Sequence, residues 1–242
     1  LSDSRKLLST MGVCYPGLDT QHRRAAIGLL GATGRIGERG ADIRDWRDLA
    51  REVRTARADR VMVSSEWLCE ANDEQARRAV EDLGGDRVHV VATIRPLAEI
   101  LPSSWQQYVQ NGLRGDYPRW LRGMLLDPPY EKPTPSFWRR HRHDVVLSRW
   151  AGLVGPDRMT LVVVDSSDRG QLFRVFETLL GLPPQTLQSP PAKEQNRSLS
   201  RPEVELIRTL NKRIRRQERW EDLYRELIRG RVIPALAEAR VT

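Results

Sequence analysis

Short apolar runs along the chain alternate with longer stretches in which hydrophobic residues recur at helical spacing. Three runs, at residues 61–63, 88–94 and 161–164, are rich in Val, Ile and Leu and are bounded by polar or turn residues. Runs of this length are typical of strands buried on both faces in a parallel sheet. Between them, hydrophobic residues three and four positions apart predict helices, most clearly over 45–56 and 169–180. The pattern therefore predicts an α/β protein built on a parallel sheet.

Other stretches carry weaker helical patterns. One helix is expected to start near Pro102, because proline suits the first turn of a helix. The remaining predicted helices lie at residues 1–11, 21–30, 70–83 and 136–153. Residues 111–135 are rich in Gly, Pro, Trp and Tyr and show no clear periodicity, so they are interpreted either as a substrate wall or lid or as irregular packing.

The chain is expected to form a single domain that includes all 242 residues. Its core is predicted at 1–182, followed by a proline- and polar-rich connection at 183–200 and a helical C-terminal region at 201–242. Ser200 and Glu203 have the spacing of a capping box, in which each side chain satisfies a backbone N–H, and they mark the start of the last region.

The charge of the chain narrows the choice of partners. Its formal net charge is +8, and only four of its 40 basic residues are lysines. A basic surface favours anionic partners; the alternative is solvated charge without a partner. The 32 acidic residues are interspersed among the basic ones, which argues against a nucleic-acid-binding stripe.

Cysteine and histidine usage gives no sign of a disulfide framework or a metal site. Cys14 and Cys69 are too few for either, and the four histidines have no zinc-like spacing, so no metal is expected. No apolar run approaches the ~18 residues of a membrane span, and no signal peptide is visible. We therefore expect a cytoplasmic protein without a transmembrane segment.

The best candidate for ligand binding follows the run at 88–94. Arg95 comes just after that predicted strand, at the edge where open α/β sheets hold their ligands. Ser103 lies eight residues further on, at the predicted helix start, where free N–H groups attract anions. Together they suit a phosphate clamp. The alternative is an Arg paired with a carboxylate and a Ser that only caps the helix.

A second polar group follows the run at 61–63. Ser64 and Ser65 precede Glu66, which would lie at the same sheet edge as Arg95 because crossovers between parallel strands are right-handed. This makes Glu66 a candidate general base. The alternative is a carboxylate that caps a helix or forms an ion pair.

The glycine-rich sequence at 31–37 is similar to a dinucleotide-binding loop only in isolation. Such a loop needs a strand before it and an apolar helix after it. Here a polar, helical stretch precedes it and charged residues follow it. We interpret it as a surface loop.

The order of elements, with polar groups at strand ends, resembles the P-loop-type fold of sulfotransferases that use 3′-phosphoadenosine 5′-phosphosulfate (PAPS). Arg95 and Ser103 match the strand-end Arg and the Ser eight positions later that bind the 3′-phosphate in that family. The Ser-Ser-Glu sequence ending at Glu66 matches the place where many members carry their catalytic base. Residues 143–165 and the Leu-Gly-Leu-Pro sequence at 180–183 are similar to later family elements.

This resemblance implies a three-layer α/β/α fold around a central parallel sheet, with a helical C-terminal region. It implies that PAPS is bound and the bisphosphate PAP is released, with Glu66 as the base. The residues expected to bind the nucleotide are Arg95, Ser103, Lys193, Asn196, Arg197 and Ser198, the last three in a loop seen in bacterial members. The residues considered for the acceptor pocket are His22, Trp67, Trp105, Gln106, Gln110, Tyr117 and Trp120, although Trp suits a core equally well.

One family element has no counterpart in these 242 residues. Sulfotransferases of this family begin with a strand and a loop of the type PKTGTT, which binds the 5′-phosphosulfate. No such sequence occurs here. Either the loop precedes Leu1 or the protein is a degenerate relative.

The expected function is transfer of a sulfuryl group from PAPS to a hydroxyl or amine of a small-molecule, carbohydrate or glycolipid acceptor. A non-catalytic nucleotide-binding relative and a P-loop kinase-like phosphotransferase are the alternatives. A third alternative, an NAD(P)-dependent oxidoreductase, is supported only by the glycine-rich sequence. The oligomeric state is left open.

Overall fold

The computed structural model describes residues 4–32, 40–126, 134–188 and 199–239. The chain divides into two compact units. The first unit contains Leu1–Arg95 and Arg139–Ser189, and the second contains Pro96–Trp138 and Pro190–Thr242. The expectation of a single domain with a C-terminal helical region stays a prediction.

Twelve α-helices are found in the described residues. In chain order, α1 to α12 are Arg5–Thr10, Arg23–Leu30, Ile43–Thr55, Asp73–Leu83, Leu97–Gln110, Tyr117–Leu125, Pro135–His141, His143–Val154, Gln171–Leu180, Arg201–Ile214, Trp220–Leu223 and Ile233–Glu238. Short 3₁₀ helices lie at Glu66–Glu70, Gly85–Arg87 and Pro156–Arg158, and a π-helix lies at Tyr224–Val232. No helix in this described part of the chain has the length and apolar character needed to cross a membrane.

The first unit holds two parallel pairs of strands. β1 (Val13–Cys14) pairs with β2 (Arg60–Val61), and β3 (Val90–Ile94) pairs with β4 (Met159–Val163). The predicted mixture of helices and parallel strands is confirmed, although helix predominates at 63%. A single central sheet is not confirmed, because no ladder joins the two pairs among the described residues.

Helices α3, α4 and α8 bury a core in the first unit. Its members include Trp46, Ala76 and Trp150, and Val90 of β3 and Met159 of β4 pack against it. The helical spacing of residues 45–56 is therefore confirmed as the buried stripe of α3. Capping boxes fix the starts of α3 and α4, because both helices begin with a side chain that accepts from the backbone of the first turn.

The expectation that the run at 161–164 is buried on both faces is wrong. Leu161 and Val163 are 47% and 57% exposed, whereas Val162 between them is 5% exposed. Alternation of this kind means that only one face of β4 is covered. Hydrophobic composition alone does not distinguish the two situations.

The second unit is a helical cluster around α5. Trp105, Val109, Trp120 and Ile207 are among its most deeply buried members. Asn211 of α10 donates from Nδ2 to the carbonyl oxygens of Val109 at 2.7 Å and Leu113 at 3.1 Å. The first bond is to the last turn of α5 and the second to the segment that follows it, so Asn211 fastens α10 to the C-terminal end of α5.

Two predictions about this unit are wrong. α5 begins at Leu97 and contains Pro102 in its interior, so the helix does not start near Pro102. The segment 111–135, predicted to lack periodicity, contains α6, which begins after Asp116; the Asp116 side chain accepts from the N–H of Arg119 at 2.9 Å. The predicted capping box of Ser200 and Glu203 is confirmed at the start of α10.

Candidate functional site

Glu66 is available for chemistry at the start of the 3₁₀ helix that follows β2. The cap of this helix is Ser65, whose hydroxyl oxygen accepts from the N–H of Trp67 at 3.4 Å. Glu66 is exposed and forms no hydrogen bond or ion pair with any described residue. The alternative roles, a capping or paired carboxylate, are therefore not what the structure shows. Its role as a base stays a prediction.

Arg95 directly follows the last residue of β3, as predicted. Its side chain is exposed, and within the described ranges it has no hydrogen bond or ion pair. The alternative of an Arg locked onto a carboxylate is therefore not found. A guanidinium group at a strand end with all its donors free is suited to a bidentate anion.

Ser103 does not have the surroundings that the sequence predicted. It lies in the middle of α5, where its hydroxyl donates to the carbonyl oxygen of Ile100 at 2.9 Å. The free N–H groups of α5 belong to the turn that starts at Leu97, so they do not reinforce Ser103. Arg95 belongs to the first unit and Ser103 to the second. The clamp of these two residues stays a prediction.

The end of α7 forms an ion-pair cluster with the 3₁₀ helix after β2. Arg140 Nε lies 2.5 Å from Glu70 Oε1, and Arg139 Nε lies 3.0 Å from Glu70 Oε2. The side chain of Glu70 is 8% exposed. A carboxylate so deeply buried requires such partners, because an isolated buried charge is costly.

His141 connects this cluster to Arg95. Burial, and after it the charges of His143, Arg140 and Arg95, lowers the pKa of His141 to about 4. Arg140 is bound to Glu70, and the charge of Arg95 acts on His141. The 3₁₀ helix Glu66–Glu70 and the residue that follows β3 therefore lie near the same basic segment, residues 139–141.

The ring of Trp67 lies in the same neighbourhood. The guanidinium carbon of Arg140 is 4.5 Å from the ring centroid, and that of Arg23 is 5.4 Å from it. Both distances are within the range of cation–π attraction. The indole Nε1 of Trp67 is buried without a hydrogen-bond partner in the described structure.

Cys69 is not suited to act as a nucleophile. Burial is the main reason that the pKa of its thiol is raised, and the charges of Glu66 and Glu70 raise it further against the opposing effect of Arg140. The reactive form of cysteine is the thiolate, which these surroundings disfavour.

His22 uses both ring nitrogens within the protein. Nδ1 lies 3.0 Å from the backbone nitrogen of Ser64, from which it accepts, and Nε2 lies 2.8 Å from the carbonyl oxygen of Pro16. The ring is 4% exposed. His22 therefore has a structural role, holding the start of α2 to the chain after β2. Its predicted contact with substrate stays a prediction.

Five of the predicted acceptor contacts lie in the second unit. Trp105 and Trp120 belong to the core, at 6% and 1% exposure, and their indole N–H groups donate to the Gly115 carbonyl and the Thr134 hydroxyl. The structure thus gives these two residues the core role that the sequence left open. Gln106, Gln110 and Tyr117 keep partly exposed surfaces.

Several predicted residues lie outside the described part of the chain. These are Lys193, Asn196, Arg197 and Ser198, together with residues 33–37 of the glycine-rich sequence. Gly31 is described, and it ends α2 in a left-handed conformation with φ of 59°. A helix rather than a strand thus precedes the glycines, as predicted, which counts against a dinucleotide-binding loop.

The sequence analysis did not identify Glu70, Arg140 or His141 as site residues. The available signal was the run Arg-Arg-His-Arg-His at 139–143, a density of basic side chains that follows an aromatic pair. Within the described ranges, no group of three or more His, Cys, Asp or Glu residues is arranged to hold a metal.

Comparison with known proteins gives no relative, since no protein-family model, curated protein or solved structure matches this chain.

Proposed function

We propose that this protein is a sulfotransferase that uses PAPS to sulfate a hydroxyl or amine on a small-molecule, carbohydrate or glycolipid acceptor. The observation that carries the proposal is that Arg95 and Glu66, of opposite charge, have no hydrogen bond or ion pair with any described residue; Arg95 directly follows β3, and Glu66 begins the 3₁₀ helix after β2. One is suited to hold a phosphate and the other to accept a proton. The motif resemblance supplies the identity of the donor.

Arg95 would hold the 3′-phosphate of the nucleotide. Its free guanidinium group fits this dianion, because the planar fork pairs with two phosphate oxygens at once. The resemblance assigns Ser103, Lys193, Asn196, Arg197 and Ser198 to the same nucleotide. PAPS supplies an activated sulfuryl group with PAP as its leaving group.

Glu66 would take the proton of the acceptor. As the acceptor oxygen or nitrogen forms its bond to sulfur, its proton passes to the Glu66 carboxylate, and the bond between sulfur and PAP breaks. Exposure of Glu66 leaves room for an acceptor to approach it. In such a transfer the protein contributes mostly positioning and charge stabilisation.

The proposal includes the three-layer α/β/α fold, with the β1–β2 and β3–β4 pairs as parts of one parallel sheet. Its support is the shared core of the first unit, because Val63 after β2 and Val90 of β3 pack against the same cluster of helices α3, α4 and α8. The resemblance implies a further strand and a phosphosulfate loop in that sheet, and no loop sequence of that type occurs in these 242 residues.

Nucleotide binding tests the role of Arg95. We expect Arg95→Gln to weaken PAP binding at least roughly tenfold, the effect of losing hydrogen bonds to a charged group, while binding of AMP, which lacks the 3′-phosphate, is unchanged. Arg47→Gln is the matched control, because Arg47 is an exposed arginine on α3. Equal losses for PAP and AMP, or no loss for PAP, would contradict the assignment.

Turnover tests the role of Glu66. With PAPS as donor and a panel of hydroxyl and amine acceptors, Glu66→Gln is expected to lower turnover at least ~10²-fold and to leave PAP affinity unchanged. Transfer from ATP, or PAP binding without any transfer, would favour the kinase-like or non-catalytic alternative instead.

A further inference from the structure

The indole N–H of Trp67 is a donor that meets no acceptor in the described part of the chain. It is shut off from solvent and has no hydrogen-bond partner among the residues that the structure describes. Four other tryptophans donate to protein atoms: Trp46 to Asp82, Trp105 to Gly115, Trp120 to Thr134 and Trp138 to Met124. An unsatisfied buried donor is costly, so native proteins seldom keep one without a reason.

The groups that surround this N–H are cationic. Arg140 and Arg23 lie over the ring of Trp67, at 4.5 Å and 5.4 Å from its centroid. Arg140 shares the single carboxylate of Glu70 with Arg139, so two guanidinium groups are balanced by one negative charge. The missing partner of the indole N–H is therefore best supplied by a negatively charged oxygen.

We propose that Trp67 and Arg140 bind an acidic group of the acceptor, a carboxylate or a sulfate or phosphate ester, beside Glu66. Trp67 would donate its N–H to one oxygen, and Arg140 would donate N–H groups that Glu70 does not use. Trp67 follows Glu66 directly in the chain, so a group held by Trp67 is close to the candidate base. That the bound acidic group belongs to a sulfuryl acceptor rests on the proposed function, whereas the anion site itself does not require sulfuryl transfer.

The state of His141 supports a positive potential at this place. Burial, together with the charges of His143, Arg140 and Arg95, lowers the pKa of His141 to about 4. His141 is thus neutral at pH 7, mainly because it is buried and in part because positive charges lie near it. A bound anion would offset these positive charges.

Calorimetric titration without any nucleotide tests the anion site. The probes are D-glucuronate and D-glucose 6-sulfate, with D-glucose as the neutral control. We expect saturable binding of at least one acid and weaker or undetectable binding of glucose. Trp67→Phe should weaken binding of the acid roughly tenfold or more, because the substitution removes one hydrogen bond to a charged group. This variant should lose less stability to urea than Trp46→Phe does, because its lost N–H has no partner among the described residues.

Two further variants keep the result interpretable. Trp46→Phe in the same unit removes an indole N–H that is bonded to Asp82 at 2.7 Å; it should lower stability and leave acid binding unchanged. Arg140→Lys retains the positive charge but loses the planar, forked guanidinium group. It should weaken binding of the acids without abolishing the fold.

Three outcomes would overturn the proposal. One is that neither acid binds more tightly than glucose, and another is that Trp67→Phe binds the acids as the wild-type protein does. The third is that Trp67→Phe loses PAP affinity rather than acid affinity, since the site would then hold the nucleotide. Acid binding that depends on Trp67, with no transfer from PAPS, would refute the proposed function alone.

Discussion

Two helical glycines in the first unit allow the packing of α2 against α3 to be measured with a single chemical change. A Cβ added at Gly28 would lie 2.1 Å from the backbone oxygen of Asp42, whereas a Cβ added at Gly152 of α8 would meet nothing within 4 Å. Substituting alanine at each position adds the same methyl group and the same helix propensity. The difference between the two variants therefore isolates the close approach of α2 to the N-cap of α3.

The expected magnitudes follow from these contacts. Gly152→Ala should stabilise the protein by about 0.5–1 kcal/mol through helix propensity. Gly28→Ala has the same gain, but α2 must move by on the order of 1 Å to restore ordinary contact, which costs about 1–3 kcal/mol as overpacking. Movement of Asp42 also disturbs its capping box with Asp45, at a cost of about 1 kcal/mol. The net loss for Gly28→Ala is about 1–3 kcal/mol.

Urea unfolding followed by far-ultraviolet circular dichroism measures both variants against the wild-type protein. We expect the midpoint to rise for Gly152→Ala and to fall for Gly28→Ala, with unchanged slopes. If the two variants were equally stable, the close contact of Gly28 with Asp42 would not exist in solution.

Three further changes have outcomes set by the structure. Asn211→Asp replaces a donor to two buried carbonyl groups with a carboxylate and should cost about 3 kcal/mol or more in urea unfolding; a loss below 1 kcal/mol would contradict the assigned bonds. Glu70→Gln should lower the free energy of unfolding by about 2–4 kcal/mol, because the nearly buried partner of two arginines loses its charge. Glu81→Gln, which affects an exposed ion pair, should change it by less than about 0.5 kcal/mol. The pKa of His141 is lowered from 6.5 to about 4 in the folded protein, so as the pH falls the unfolded chain binds a proton at this residue before the folded protein does. The free energy of unfolding should therefore fall by about 1–2 kcal/mol between pH 6.5 and pH 4, a figure discounted for partial exposure. His141→Asn should remove that part of the pH dependence, and a variant with the same pH profile as the wild-type protein would contradict this prediction.

Local signals in the sequence were sufficient for some elements. The capping box of Ser200 and Glu203 depends on residues three apart, so it can be recognised from the sequence alone. α6 could also have been predicted, because Asp116 is a suitable cap and Trp120 and Met124 recur at helical spacing after it. The aromatic and glycine content of the segment obscured that pattern.

The start of α5 illustrates a real ambiguity. Pro96 and Pro102 are both compatible with a helix start by composition, and the structure has the helix begin directly after Pro96. Ser103 consequently occupies a helix interior, where serine bonds to a carbonyl of the preceding turn. The displacement of one boundary thus changed the expected surroundings of Ser103, whereas its role in the clamp stays a prediction.

The site beside Glu66 could not be read from local pattern at all. Glu70 and Arg140 are 70 positions apart, and their pairing depends on how α7 returns to the first unit. The position of Arg95 was predictable because it directly follows β3, and Glu66 lies in the first turn after the segment that leaves β2. The partners that surround them depend on tertiary packing, which no spacing rule encodes.

The two hydrogen bonds of the His22 ring join the start of α2 to the segment that leads to Glu66. The ring accepts from the N–H of Ser64 through Nδ1 and donates to the carbonyl oxygen of Pro16 through Nε2. One imidazole side chain thus ties together three separate stretches of chain, and the peptide that it holds lies two residues before Glu66. The position of the candidate base therefore depends on a buried side chain that makes all its hydrogen bonds inside the protein.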